Sequence, residues 1–282
     1  MQLKERSAPA PAPAAARGAG VLSRSFQMAG ELLMTAGVIV LLFVAWQLWW
    51  TNVESDARQR GVVKNFAHDL KQDLKQDLTG AGPLESAPPS AAADDSSDGS
   101  SAGSSSGYGP AIVSPEPADG VTMGIMYVPR FGADFTRPLV QGTTPAVLDT
   151  LGIGHYPGTA MPGAVGNFAV AGHRQTHGAV LDSIDSLVPG DRIYVQIRAG
   201  YYVYVFRNSQ IVFPSRTDVL LPVPAQPAAT PKEGYLTMTS CNPRFGSQER
   251  FIAYSLLEWW QPASAGPPAE IASQVARVLG EG

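Results

Sequence analysis

The chain is nearly free of cysteine. Its 282 residues include one, Cys241, so no internal disulfide can staple the fold. An excess of basic charge is also missing. Twenty Lys and Arg stand against 24 Asp and Glu, a formal net charge of −4, which excludes a general electrostatic attraction to nucleic acid. Long apolar runs are scarce, with a single example near the N-terminus. Glycine (29) and proline (24) make up nearly a fifth of the residues and gather at the N-terminus and around residues 80–120. That uneven spread separates a tail and a linker from one folded unit.

The apolar run is "LLMTAGVIVLLFVAWQLWW", Leu32 to Trp50, close to the roughly 20 residues that cross a bilayer core. A signal peptide has a shorter apolar core followed by small residues, whereas this run ends in Trp46, Trp49 and Trp50, which suit a membrane interface. A transmembrane helix over residues 31–50 is therefore expected rather than a buried core helix. Lys4, Arg6, Arg17 and Arg24 precede it against Glu5 and Glu31, so residues 1–30 are read as a cytoplasmic tail and the remainder as extracellular.

Beyond the span, residues 51–78 read as a polar, solvated helical stalk containing the repeat "KQDLKQDL". The following "GAGPLESAPPSAAADDSSDGSSAGSSSGYG" is too polar to bury a core, and residues 79–118 are read as a disordered linker. About 40 flexible residues reach on the order of 35 Å. Residues 119–262 change to short β-rich runs between turn residues, an all-β pattern of sandwich or barrel type. Strands are expected at Met123–Val128, Asn167–Ala171, Arg192–Ile197, Tyr201–Asn208, Tyr235–Ser240 and Arg250–Glu258, with a short helix between Thr144 and Leu151. Residues 263–282 form either an amphipathic helix or a tail.

A lone extracellular thiol is a buried small hydrophobe, an intermolecular partner or a reactive nucleophile. Reactivity needs a base, usually histidine. Of the four histidines, His68 falls in the stalk, while His173 ends the apolar run "GNFAVAGHR" much as Cys241 ends "YLTMTSC". Two strand ends on one rim of a barrel bring imidazole and thiol together. Arg250 opens the next apolar run, "RFIAYSLLEWW", so a loop from Cys241 back to Arg250 sets a guanidinium beside the thiol, where its charge suits a developing oxyanion. Arg244 lies within that loop and is expected to face solvent. His173 and His177 are four apart, but glycines flank them and no Glu follows His173, so no metal site is expected.

"GNFAVAGHR" followed by "LTMTSCNPRFGSQER", behind a single N-terminal anchor, resembles the sortases, the membrane-bound cysteine transpeptidases of Gram-positive bacteria. "HYPGTAMPGAVGNFAVAGHR" and the Cys-x-Pro-Arg-Phe context most resemble class E, of actinobacteria. Ser240 departs from the threonine commoner before the cysteine but keeps a hydroxyl. The resemblance covers Val121 to Trp260 and implies an eight-stranded sortase β-barrel with short helices, Cys241 as nucleophile, His173 as acid/base and Arg250 as transition-state stabiliser. It also implies partners: surface proteins ending in an LAXTG- or LPXTG-type signal, and an amine of lipid II or peptidoglycan. No cofactor is implied. By the same analogy Tyr127 and Thr217, each at a strand-to-loop boundary, are candidates to line the substrate pocket, or else pack at the rim. His155 is assigned to the substrate side, shaping the loop that lies against the groove. Two other classes fit a tethered β-domain. An L,D-transpeptidase usually shows a Ser-x-Gly-Cys context, which "TMTSCNPRF" lacks; a wall- or protein-binding module would leave Cys241 merely structural.

Overall fold

A computed structural model of the chain describes residues 19–80 and 107–281. Most of the expected cytoplasmic tail and the linker between 81 and 106 lie outside the described residues. The chain divides into two units between Trp49 and Trp50. In the first, the leading part of helix α1 (Ala19–Gly80) carries exposed Leu33, Leu41, Phe43 and Trp49. This stretch is long and apolar enough to cross a membrane, and none of it is buried in protein. A helix exposed and apolar all round is suited to lipid.

The second unit is built on eight strands: β1 (Thr122–Tyr127), β2 (Thr136–Gln141), β3 (Ile153–His155), β4 (Gly166–Ala171), β5 (Arg192–Ile197), β6 (Gly200–Val212), β7 (Gly234–Asn242) and β8 (Glu249–Pro262). They close into a barrel in the order β1-β2-β3-β4-β7-β8-β6-β5. The β2/β3 and β4/β7 pairs are parallel and the rest antiparallel. Alternation assigns the faces. Phe168 and Val170 of β4, Leu236 and Met238 of β7, and Tyr202 and Tyr204 of β6 fill the interior. The residues that alternate with them, including Asn167, Thr237 and Thr239, turn outward. Short helix α2 (Pro145–Leu148) begins with the proline tolerated in a first turn, and α3 (Ala272–Leu279) resolves the C-terminal segment as a helix.

The stalk is not solvated on all sides. Val63, Phe66, Ala67 and Leu70, at the i, i+3, i+4, i+7 spacing of one helix face, are buried with Ile125, Tyr127, Tyr194, Val203, Ile271 and Val275. Burial of each large side chain contributes about 1.5–3 kcal/mol, so the second half of α1 belongs to the barrel's fold. Nor does the linker run free to residue 118. Trp260 Nε1 donates to the Gly109 carbonyl at 2.8 Å, the Tyr202 hydroxyl donates to Ile112 O, and the Glu116 carboxylate accepts the Gly158 N–H at 3.1 Å.

Candidate active site

Strand β7 carries Cys241 one residue from its end. In the antiparallel register of β7 and β8, Cys241 pairs directly with Arg250. Opposed residues share a face with Cβ atoms about 4.5–5.5 Å apart, so thiol and guanidinium leave the sheet side by side. On its other flank β7 runs parallel to β4, in a register that ends with Ala171 opposite Thr239. Gly172 N–H continues the ladder to Thr239 O at 3.1 Å, and the Ser240 hydroxyl donates to Gly172 O at 2.8 Å. The hydroxyl retained at position 240 thus holds the two strand ends together. Counting on from Ala171 and Thr239 brings His173 level with Cys241.

Three groups fix this corner. His173 Nε2 is hydrogen-bonded to Asp149 Oδ1 at 2.7 Å, which leaves Nδ1 as the nitrogen for another partner. Arg174, only 3% exposed, donates from Nη1 to Asn242 Oδ1 at 2.8 Å and to Cys241 O at 3.4 Å, pairs with Asp185 through Nη2, and lies over the Phe251 ring. It ties the residue after the histidine to the backbone of the cysteine. Arg250 donates from Nη1 to the carbonyls of Ser247 and Glu249, both at 2.9 Å. Its Nε and Nη2 have no hydrogen bond among the described residues. Arg244, as expected, lies half in solvent, and it pairs with Asp182.

Helix α1 reaches the same loop. Asn52 Nδ2 donates to Gln175 O at 3.2 Å while its Oδ1 accepts the Gly178 N–H at 3.0 Å. Gln59, fully buried, donates to His177 O at 3.1 Å, and Ser55 Oγ donates to the Asp149 carbonyl at 3.4 Å. Gly178 has φ +86°, a conformation strained for other residues, and a Cβ there would lie 2.9 Å from the Gln59 amide, which would have to shift.

The substrate side differs from expectation in two places. Tyr127 is fully buried under α1, its hydroxyl donating to Gln196 Oε1 at 2.6 Å, so it lines no groove. Alternation along β1 sends it to the outer face that α1 covers, and burial raises its pKa well above 10.0. His155 is likewise fully buried. Its Nδ1 meets Gln141 Oε1 at 2.7 Å and its Nε2 meets Ala160 O at 3.1 Å and Thr159 Oγ1 at 2.9 Å. It braces the 156–165 loop rather than touching an open site. Burial lowers its pKa against the opposing pull of the Ala160 carbonyl and Glu116. Thr217 does stand exposed, at the start of the 3-10 turn Thr217–Leu220. Val219 of that turn packs on Val212 and Ile252, the latter on the same face of β8 as Arg250. Buried Asn167 holds the turn down, donating to Val219 O and Leu221 O at 3.0 Å and accepting from the Thr237 hydroxyl at 2.7 Å.

Sequence reasoning did not single out Asp149, Arg174 or Asn167. Arg174 was signalled by its place beside His173. Asp149, 24 residues upstream, has no local signature.

The Sortase domain family matches residues 126–258. Sortase SrtE1 of Streptomyces coelicolor is 32% identical over 265 residues, 92% of this chain and 64% of that protein. The SrtA sortase of Actinomyces oris is 36% identical in sequence and superposes with a TM-score of 0.55, over 57% of this chain and 93% of that one. The chain belongs to the sortase family. Sortase E of Streptomyces avermitilis is similar as well, at 34% identity and a TM-score of 0.50 over 55% of this sortase and 99% of that chain. The sortase described here spans somewhat less than two thirds of the length of SrtE1.

Proposed function

We propose that this sortase is a membrane-anchored transpeptidase of class E type, cleaving an LAXTG- or LPXTG-type sorting signal between Thr and Gly and passing the acyl group to a cell-wall amine. The observation that carries this reading is the pairing of Cys241 with Arg250 across β7 and β8, on the strand flanked by the one that delivers His173. His173, with Nε2–H donated to Asp149, presents a lone pair on Nδ1 to take the thiol proton. The thiolate attacks the Thr carbonyl. Negative charge on that oxygen is met by the uncommitted N–H groups of Arg250. Collapse breaks the Thr–Gly bond, the glycine amine leaves with the proton held by His173, and a thioester to Cys241 remains. An amine of lipid II or a peptidoglycan stem then attacks the thioester, returning its proton through His173 and freeing Cys241. The scheme needs no cofactor.

Residues 31–50 anchor the enzyme, with the basic N-terminal segment inside and the barrel outside, where secreted substrates and the lipid-linked amine meet. Thr217, on the turn above Ile252, faces the signal residue that distinguishes LAXTG from LPXTG. The test is chromatographic: full-length protein in detergent is incubated with LAXTG and LPXTG peptides and a glycine-based amine. Expected are amine-dependent transpeptidation products, with LAXTG preferred and the wild-type preference shifted by Thr217→Val. Equal turnover by wild type and Cys241→Ala, or turnover of neither peptide, rejects the reading.

A further inference from the structure

Beside the thiol lies a second constellation that the transpeptidation scheme uses only in part. Asp149, His173 and His177 each offer one ligand atom, and the three atoms lie within 4.8 Å of one another. Asp149 Oδ1 is 2.7 Å from His173 Nε2 and 3.9 Å from His177 Nδ1, and the two imidazole rings are 5.0 Å apart. His177 Nδ1 is buried with no hydrogen-bond partner. We propose that these three side chains form an open zinc site whose occupancy switches off the neighbouring thiol.

Two histidines and a carboxylate, with a fourth position left to solvent, are a donor set that zinc takes in open sites. Bonds of about 2.0–2.1 Å in tetrahedral geometry set ligand atoms roughly 3.3 Å apart, so these three atoms reach that spacing by shifts of under about 1 Å. Their side chains are 38%, 26% and 36% exposed in chain order, open enough for an ion to enter. Their backbones are held from behind: Ser55 bonds Asp149 O, Gln59 bonds His177 O, and Asn52 bonds the neighbouring Gly178 N–H. Outer hydrogen bonds of this kind preorganise metal ligands. The four-residue spacing of His173 and His177 does not itself make the site, because they occupy a loop; the third ligand arrives from the segment after α2.

The consequence for chemistry rests on the proposed role of His173. Zinc on Nε2 displaces the proton shared with Asp149, and the neutral ring then carries its proton on Nδ1. That nitrogen can no longer accept a proton from Cys241. Occupied, the site removes the base; emptied, it restores it.

The direct test uses full-length Cys241→Ala protein in detergent, so that the thiol cannot bind metal, with Zn²⁺ titrated in competition with a chromophoric chelator. One zinc per chain is expected, and affinity is expected to fall about tenfold or more with either His177→Ala or His177→Gln added. Co²⁺ in the same Cys241→Ala protein should give visible bands of a low-symmetry site without thiolate charge transfer. In wild type, Zn²⁺ should inhibit peptide cleavage, and both His177 variants should escape. No zinc binding by Cys241→Ala, or undiminished affinity in both His177 variants, overturns the proposal. Protein that binds zinc but cleaves no peptide keeps the site and loses the functional reading; the reverse result does the opposite.

Discussion

At the scale of single residues, the corner around Cys241 is defined by hydrogen bonds that leave few free choices. Asp149 holds one nitrogen of His173, and Arg174, the next residue in the chain, is bonded to the backbone of Cys241. Replacing Asp149 by Asn removes the charge and allows the amide to present its NH2, favouring the wrong tautomer. Turnover (kcat) is expected to fall roughly a hundredfold with KM little changed, since misplacement of a catalytic group costs about that factor. Asp149→Glu should recover part of the loss; steady-state kinetics on the three proteins checks this. His155 makes a different prediction. Its folded-state pKa is lowered by burial, so the unfolded chain binds the proton more tightly. Stability from this group is complete above its ordinary value of about 6.5 and declines as pH falls below it. Urea denaturation at pH 8 and pH 5 should show a smaller drop in midpoint for His155→Gln than for wild type.

Among elements, helix α1 is the one whose role the sequence disguised. Its lysines, aspartates and glutamines advertise a solvated rod, while Val63, Phe66, Ala67 and Leu70 form a narrow stripe inside that polar pattern. A stripe this narrow shows only when the apolar positions are counted against a 3.6-residue period. The β-rich runs were legible because turn residues bound them; β4, β7 and β8 begin or end within a residue or two of expectation at the ends nearest the site, apart from the longer reach of β8 toward Pro262. Strand β2 was not legible, since "TRPLVQ" contains Pro138, which argues against a strand, and β3 is only three residues long. Pro138 is tolerated because β3 pairs with β2 only from Leu139 onward. Tyr127 and His155 misled because position along the sequence does not reveal burial: Tyr127 lies on the outer face that α1 covers, whereas His155 shares the inward face of Ile153, its ring 5.2 Å from that of Phe168. The contacts of α1 with the histidine loop carry their own prediction. Asn52→Ala removes two bonds to that loop, far from the β1 core, and should lower kcat about tenfold while the melting temperature moves by only a few degrees.

For the whole molecule, one continuous helix contains both a stretch able to cross a membrane and a face built into the barrel. The apolar stretch is thus followed directly by fold-bearing structure rather than by a loose tether alone. Residues 107–118, expected as linker, are docked along the barrel through Gly109, Ile112 and Glu116. Assays that seek native activity therefore belong with protein that retains the second half of α1. The central claim is that Cys241 forms a thioester with the Thr end of a sorting signal. Intact-mass spectrometry of the full-length protein, rapidly quenched in acid after mixing with LAXTG peptide and no added amine, tests it most directly. The expected result is an adduct equal to the peptide less its glycine-side fragment, located on Cys241, removed by hydroxylamine and missing from Cys241→Ala. Peptide cleavage with no such adduct, or an adduct that persists in Cys241→Ala, would contradict it.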